Sequence, residues 1–389
     1  MKRFVVQKNK ISLVMMSVLL LGTQGQSASA RGSLAETVTD PMLAHEFKTK
    51  GPWFEGWYAR VVDREKGISV AVITTSAISS GEKLPSEGPP GYIAIIISKA
   101  DGTRTVSFEA FPKVTSIGNT AGNMAGTGAG IGAGEKDFAW SAVNFGHASK
   151  NLTEIEIPNQ AKIMIKSHSR VSWSDEPGEV GPEGNLAALP YLPLHWFVHN
   201  TGGEADYAVE YQENGQWVRL EGRGEIHHEK NWGETFPKSW MWVQAFNDNA
   251  YLALAGGDLK VGPLTAHSYM VGYRSKDYVI DFNIGQGPLT RFNDQIKSCD
   301  RKFQLDAINS EFKLVIEAEG DPESFADLAI PTKDGYEPNG AIETFTAKVK
   351  TRLYRAEGFK LAPRYVLVEE QSFAQGALEF GASAMTCAE

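Results

Sequence analysis

The sequence predicts an all-β protein made of two barrel-like or sandwich-like halves. Many short runs alternate apolar and polar residues with a period of two, which is the pattern of half-buried strands. Turn signals rich in Gly, Pro and Asn separate these runs, and no long stretch has the 3.6-residue period of an amphipathic helix. Strands without intervening helices are typical of β-sandwiches and β-barrels. A chain of 389 residues is long enough for two such halves.

The predicted strands follow one another along the whole chain. Six lie in the first half, at Ile68–Thr75, Tyr92–Ser98, Thr103–Phe111, Thr153–Ile157, Ala161–Ser167 and Leu194–His199. Six more follow in the segments DYAVEYQ, SWMWVQAF, AYLALAG, DYVIDF, EFKLVIEAE and TFTAKVKTRLY. The least regular zone, Glu176–Pro193, lies near mid-chain, and we place the boundary at the end of the strand that follows it. The predicted halves are therefore residues 31–200 and 201–389.

The segment Gly118–Lys136 is rich in Gly and Ala and contains the spacing G-x-G-x-x-A. A dinucleotide-binding loop with that spacing needs a strand before it and a helix after it, because the phosphates bind at the helix N-terminus. Neither pattern flanks this segment. It is therefore interpreted as a flexible Gly/Ala loop.

The N-terminus is typical of a secretory signal peptide. Four Lys and Arg residues among the first ten positions precede the apolar run ISLVMMSVLLLG, and the small-x-small pattern SASA ends at Ala30. The apolar run is well short of the ~20 residues that a membrane-spanning helix needs. We predict a signal peptide over residues 1–30 and an exported mature protein that begins near Arg31.

The net charge and the two cysteines bear on whether the protein binds nucleic acid and whether it contains a disulfide. The formal net charge is -9, and no Lys/Arg cluster lies beyond the N-terminus, so a nucleic-acid partner is not expected. The two cysteines are Cys299 and Cys387. An exported compartment permits a disulfide between them, but the sequence leaves their pairing open.

Four histidines, at positions 195, 199, 227 and 228, raise the question of a metal site. Residues four apart on a strand are separated by ~13 Å, and adjacent residues point to opposite faces. Such spacings do not bring two imidazoles to one ion. We therefore expect no metal ligands here and interpret the four side chains as polar lining or surface.

Aromatic residues concentrate in the stretches FEGWYARV, LHWFVHN and EIHHEKNWGETFPKSWMWVQAF. Alternate residues of a strand share a face, so Trp240, Trp242 and Gln244 point one way, and Glu55 points the same way as Trp57. Such indoles can simply fill a β core. Indoles that alternate with an amide and lie beside acids are more typical of a cavity lined with a few polar groups.

Three motifs resemble those of the tocopherol cyclase family: FEGWY at Phe54–Tyr58, PLHWFVH at Pro193–His199, and EKNWG-x-x-FP-x-x-W-x-WVQ at Glu229–Gln244. Weaker likeness continues through Glu317–Thr332 and Gly376–Ala382, so the resemblance covers roughly the whole mature chain. It implies a lipocalin-like, all-β fold. It also implies closure of a phytyl benzoquinol to a chromanol, the isomerisation that belongs to vitamin E biosynthesis.

Such a ring closure protonates a trisubstituted alkene and traps the tertiary cation with a phenol oxygen. It needs a protonated carboxyl, a surface that tolerates positive charge and exclusion of water, and it requires no metal, nucleotide or flavin. Burial among indoles raises the pKa of a carboxyl, and aromatic faces stabilise a nearby cation by up to ~2 kcal/mol each. Glu229 is the first candidate for the acid and Glu55 the second. An ion pair of Glu229 with Lys230 or Arg223, and a strand-end hydrogen bond of Glu55, are the structural alternatives.

The expected substrate-binding residues surround these two acids. Asn231 and Gln244 would orient the phenol hydroxyl, Tyr58 would donate a hydrogen bond, and the indoles would hold the prenyl chain and shield the cation. Packing or turn roles stay open for the polar members. The set comprises Trp57, Tyr58, Trp196, Asn231, Trp232, Trp240, Trp242 and Gln244.

Two other functions stay open from the sequence. A non-catalytic carrier of a hydrophobic isoprenoid would need the same aromatic cavity, and an enzyme that adds water to other isoprenoids, or closes rings on them, would use the same protonation chemistry. The expected ligand is a prenylquinol or isoprenoid in each case. Such a lipid is consistent with transient contact of the protein with a membrane surface.

The signal peptide predicts export. The destination would be the plastid in an algal host whose plastid import begins at the endoplasmic reticulum, or the periplasm or medium in a bacterium.

Overall fold

The computed structural model describes residues 43–45, 48–100, 105–121, 136–174, 181–188, 192–261, 264–286, 289–359 and 363–387. The described residues form two antiparallel β-sheets, of 11 and 10 strands. The all-β prediction is confirmed. The predicted signal peptide, residues 1–30, and residues 122–135 of the predicted Gly/Ala loop lie outside the described residues.

The first sheet contains the strands up to Gly233. They are β1 (Trp53–Asp63), β2 (Ile68–Ile78), β3 (Gly91–Lys99), β4 (Val106–Ala110), β5 (Ser116–Ala121), β6 (Lys136–Ala142), β7 (Gly146–Ala148), β8 (Leu152–Ile157), β9 (Ala161–Ser167), β10 (Leu194–Glu213) and β11 (Gln216–Gly233). Their order across the sheet is β4-β3-β2-β1-β11-β10-β9-β8-β7-β6-β5. A short 3-10 helix, Gly184–Ala188, precedes β10. The predicted boundary at residue 200 lies inside β10, and the chain passes to the second sheet between Gly233 and Ser239.

The second sheet contains the strands from Ser239 onward. They are β12 (Ser239–Phe246), β13 (Ala250–Val261), β14 (Leu264–Ser275), β15 (Val279–Phe282), β16 (Arg291–Lys297), β17 (Lys302–Ile308), β18 (Phe312–Glu319), β19 (Ala326–Thr332), β20 (Gly335–Glu357) and β21 (Arg364–Ala382). Their order across the sheet is β15-β14-β13-β12-β21-β20-β18-β17-β16, and β19 pairs with β20 beside this path. Short 3-10 helices lie at Ile284–Gln286, Pro322–Ser324 and Ser383–Met385.

Alternating side chains divide the interior into three apolar cores, one belonging to each sheet and one between the sheets. On β12, Trp240 and Trp242 point between the sheets, whereas Met241 lies in the core of the second sheet. On β1, Tyr58 points between the sheets, whereas Trp57 packs in the core of the first. This is the period-two alternation that a strand imposes, and it directs the indoles of β12 into the shared core.

Two smaller features complete the fold. Cys299 and Cys387 form a disulfide, which joins the turn after β16 to the C-terminal segment and settles the pairing that the sequence left open. Among the described residues, no helix has the length and apolar character needed to cross a membrane.

Candidate active site

A cavity of about 130 Å³ lies between the two sheets. Its wall is mostly apolar, because it forms part of the core that the sheets share. Three carboxyl groups reach the wall, from Glu229 on β11, Glu343 on β20 and Glu379 on β21. The aromatic residues of the wall include Phe54, Tyr58, Tyr92, Trp196, Phe236, Trp240 and Trp242.

Glu229 is held at both of its carboxyl oxygens. Oε2 accepts hydrogen bonds from the indole nitrogens of Trp196, at 2.9 Å, and Trp242, at 3.1 Å. It also lies 2.8 Å from Nε2 of His227, while Oε1 accepts a longer bond, 3.3 Å, from the amide of Asn231. Indole nitrogens can only donate, so the Oε2 atom of Glu229 acts as an acceptor in this network.

His227 connects Glu229 to the second sheet. The hydroxyl of Tyr251, on β13, lies 3.0 Å from Nδ1 of His227. A His227 tautomer with its proton on Nε2 would accept from the Tyr251 hydroxyl at Nδ1 and donate to Glu229. The hydrogen-bonded series Tyr251–His227–Glu229 therefore connects the second sheet to the part of the cavity wall that the first sheet forms.

Glu343 differs from Glu229 because one of its oxygens is unused. Its side chain is fully buried. The hydroxyl of Tyr58 donates to Oε1 over 3.0 Å, whereas Oε2 has no hydrogen-bond partner among the described residues. Burial, and next the neighbouring carboxyl of Glu379, raise the pKa of Glu343 well above its ordinary value. The surroundings of Glu343 thus favour its uncharged form.

Glu379 is the direct neighbour of Glu343 across two paired strands. The ladder between β20 and β21 pairs Glu343 with Glu379, and the ladder between β12 and β21 pairs Glu379 with Trp242. The indole of Trp240 donates to Oε1 of Glu379 at 2.5 Å. Burial raises the pKa of Glu379 to about 7. Two carboxyls with raised pKa values therefore lie side by side on the wall.

Glu55 does not fit the proton-donor role expected from the sequence. Its Oε1 lies 2.6 Å from Nζ of Lys230 and 2.8 Å from Nδ1 of His45. Burial alone would raise the pKa of Glu55, but Lys230 and the hydrogen bond with His45 outweigh burial and hold that pKa below its ordinary value. Glu55 is outside the described cavity wall. It is a structural carboxylate that pairs with Lys230, so it has no proton to give at neutral pH.

The structure brings most of the expected binding residues to the cavity wall but not all of them. Trp57 borders the wall, but its ring stacks on Phe138 in the core of the first sheet, with centroids 4.5 Å apart. Trp232 stacks on His195 at 5.0 Å, outside the wall. Gln244 also lies off the wall, where Arg60 donates to its Oε1 over 2.6 Å. The expected residues on the wall are Trp57, at its border, and Tyr58, Trp196, Asn231, Trp240 and Trp242, together with Glu229.

Sequence reasoning missed Glu343 and Glu379. Each is a single acid inside an otherwise apolar strand segment, AIETF and ALEF, and this pattern could have marked them as buried carboxyls. Their pairing depends on the register between β20 and β21, which the sequence pattern does not reveal.

The family model described as tocopherol cyclase-like matches residues 51–382. The chain belongs to the tocopherol cyclase-like family. A stretch of 114 residues is 34% identical to the probable chloroplastic tocopherol cyclase of Oryza sativa subsp. japonica, and 114 residues are 30% identical to the chloroplastic tocopherol cyclase of Zea mays. Each match covers 27% of this chain, and the chain spans about a quarter of the relatives' length, 24% and 23%. Membership of the tocopherol cyclase-like family supports a cyclase-like enzymatic function.

Solved structures support the fold of this tocopherol cyclase-like protein. The crystal structure of CghA has a TM-score of 0.54 at 11% identity, and the alignment covers 88% of this chain and 96% of that chain. The crystal structure of CghA with Sch210972 has a TM-score of 0.53 at 12% identity, with the same coverage. At these identities the likeness concerns the fold, and the predicted lipocalin-like, all-β class is confirmed.

Proposed function

We propose that this tocopherol cyclase-like protein closes a prenylated benzoquinol to a chromanol by acid catalysis, with Glu343 as the acid. The observation that carries the proposal is the state of Glu343, a fully buried carboxyl on an aromatic cavity wall whose Oε2 has no partner among the described residues. Tyr58 fixes the other oxygen at 3.0 Å. A protonated carboxyl held in this way has one oxygen free to meet a substrate double bond.

In the first step Glu343 gives its proton to the trisubstituted alkene. The O–H bond of the carboxyl breaks as a C–H bond forms, and a tertiary carbocation results. The rings of Trp240 and Trp242 on the same wall would stabilise this cation by up to ~2 kcal/mol each in a desolvated site. The Glu343 carboxylate left behind adds electrostatic stabilisation from the same side.

In the second step the phenol oxygen attacks the cation and closes the ring. Asn231 lies on the wall beside Glu229 and is the residue best suited to orient the phenol hydroxyl. The network of Trp196, Trp242 and His227 fixes Glu229, so that this part of the wall is rigid before the substrate binds. Substrate and product are isomers, and all steps use side chains of this chain.

The size of the cavity limits what it holds. About 130 Å³ is below the roughly 300–1,000 Å³ usual for sites that enclose drug-sized ligands. The quinol ring and the reacting double bond would therefore occupy the cavity, and the rest of the isoprenoid tail would extend past its rim.

The direct test is an assay of purified protein with dimethyl-phytylbenzoquinol, with tocopherol measured as the product. The Glu343→Gln variant keeps an acceptor for Tyr58 but lacks the proton, and we expect it to lose ~10²-fold or more of the turnover. Glu337→Gln is the matched control, because it makes the same change at an exposed position of the same strand, and we expect wild-type turnover from it.

Two results would contradict the proposal. Wild-type turnover by Glu343→Gln would remove Glu343 as the acid. Wild-type protein that binds the quinol with micromolar affinity and leaves it unconverted would instead support a carrier of hydrophobic isoprenoids.

A further inference from the structure

Ring closure releases the proton of the phenol hydroxyl, and a group in the site must accept it. The alkene takes one proton from Glu343, and the phenol oxygen releases one when its bond to carbon forms. Glu343 is fully buried, so direct reprotonation from solvent is hindered. A second group on the cavity wall that accepts the phenolic proton and lies beside Glu343 would restore the acid for the next turnover.

The position of Glu379 meets both conditions. It is paired with Glu343 in the ladder between β20 and β21, and directly opposite residues of an antiparallel pair have Cβ atoms about 4.5–5.5 Å apart on one face. Both carboxyls lie on the cavity wall. The indole of Trp240 fixes Oε1 of Glu379 at 2.5 Å.

Glu229, the third carboxyl of the wall, is less suited to this task. Its Oε2 already accepts from Trp196 and Trp242 and contacts His227, and its Oε1 accepts from Asn231. An added proton on Oε2 would displace one of these donors. Glu379, in contrast, is fixed through Oε1 by Trp240.

We propose that Glu379 is a second catalytic residue, which takes the phenolic proton and passes it to Glu343. This inference rests on the proposed function, because it assigns the proton that ring closure releases. The phenol O–H bond breaks as the C–O bond forms, and the proton goes to the Glu379 carboxylate. It then crosses to the Glu343 carboxylate, which restores the starting state without any net gain or loss of protons or electrons.

The pair is surrounded by other titratable groups that a pH experiment must consider. Glu379 has a pKa of about 7, so it changes charge in the neutral range. The pKa of Glu343 is also raised well above its ordinary value, because burial and Glu379 both disfavour its ionised form. The groups that face the pair from the packed strands are Tyr58 and Arg60 on β1, Tyr92 on β3, His195 on β10 and Glu229 on β11.

The test compares the pH profile of kcat for wild-type protein with that of Glu379→Gln, using the same prenylquinol. Glu379 must be a carboxylate to accept the proton, so wild-type kcat should rise with pH near 7 and fall again as Glu343 ionises. In Glu379→Gln we expect the rising limb to disappear and kcat to drop ~10²-fold. Glu379→Asp should retain the rising limb, and Glu370→Gln, an exposed change on the same strand, should behave as wild type.

The possible failures are distinguishable. Wild-type kcat and an unchanged pH profile in Glu379→Gln would overturn the role of Glu379 and leave the cyclase proposal standing, since Glu343 would then recover the phenolic proton itself. No turnover by wild-type protein would overturn the proposed function, and the role of Glu379 with it.

Discussion

The hydroxyl of Tyr58 donates to Oε1 of Glu343 over 3.0 Å, and this bond joins the first sheet to the second at the cavity wall. Tyr58 is on β1 and Glu343 on β20, 285 positions apart in the chain. Both side chains are buried. The bond therefore couples the position of the proposed acid to the packing of the two sheets.

Replacement of Tyr58 by Phe should weaken both stability and turnover. The ring still packs, but the oxygen of Glu343 loses its donor, and a buried polar atom left unpaired costs about 1–3 kcal/mol. Denaturant unfolding should report that loss. Since the acid would also lose its orientation, we expect kcat to fall ~10-fold while binding of the quinol changes little. Equal kcat in Tyr58→Phe and wild type would show that this bond does not position the acid.

Two substitutions of Glu229 separate a positioning role from an acid role. Glu229→Gln keeps an oxygen for the donors of Trp196, Trp242 and His227, and its amide can pair with Asn231 once that side chain flips. We expect turnover within ~10-fold of wild type, since the proposed acid remains. Glu229→Leu leaves these donors without an acceptor, and each buried unpaired donor lowers the free energy of unfolding by about 1–3 kcal/mol. A loss of turnover in Glu229→Gln as large as that in Glu343→Gln would indicate that Glu229 is the acid, as the sequence analysis expected.

The ion pair of Glu55 with Lys230 should contribute to stability rather than to catalysis. Removing one partner of a buried pair typically costs about 3–5 kcal/mol, so Glu55→Gln and Lys230→Met should each be strongly destabilised. The double variant should lose less than the sum of the two single losses, because neither charge is then left alone. Denaturant unfolding of the four proteins measures this coupling, and strictly additive losses would contradict it.

The same pair gives a pH dependence with a defined sign. Glu55 has a folded-state pKa below its ordinary value, so its stabilising contribution is present above that ordinary value and is lost as the pH falls through the folded-state pKa. Acid unfolding of wild-type protein should therefore include a component below about pH 4 that Glu55→Gln lacks. Superimposable acid-unfolding curves would contradict the assignment.

Gly381 on β21 determines where the ring of Trp240 lies. A Cβ added at Gly381 would overlap the indole ring of Trp240, so Gly381→Ala must displace that ring from its place on the cavity wall. We expect altered tryptophan fluorescence and ~10-fold weaker turnover of the prenylquinol. Gly118→Ala is the control, because a Cβ at Gly118 meets nothing within 4 Å. Unchanged turnover in Gly381→Ala would mean that Trp240 does not shape the site.

Much of the fold could be predicted from the sequence because strand alternation is a local property. The segment SWMWVQAF identified a strand, and its period of two correctly grouped Trp240 with Trp242 on one face. The segment DYAVEYQ was also recognised as a strand, because Tyr207, Val209 and Tyr211 alternate into the core of the first sheet. That β10 runs without interruption from Leu194 to Glu213 was not predicted, because its pairing with β11 across the proposed boundary depends on register rather than on a local pattern.

The site was only partly predictable for a related reason. Aromatic motifs pointed to Trp196, Glu229 and Trp242, which the structure brings within hydrogen-bond distance. The difference between Glu55 and Glu343 depends on partners far away in the chain, Lys230 for the first and Tyr58 for the second. Sequence patterns show that a carboxyl is buried among apolar residues but not which charges it meets there.

The protonation state of Glu343 can be measured without any substrate. Infrared spectra of protein with isotope-labelled Glu, recorded at about pH 8, distinguish a protonated carboxyl from a carboxylate. Burial and the Glu379 carboxyl raise the pKa of Glu343 against the opposing effect of the Arg60 charge, and the raised pKa favours the protonated form. We expect a protonated carboxyl band in wild type and in Glu337→Gln that is missing from Glu343→Gln. An unchanged protonated-carboxyl band in Glu343→Gln, with the loss confined to the carboxylate band, would mean that Glu343 is ionised and cannot be the acid of the proposed cyclase.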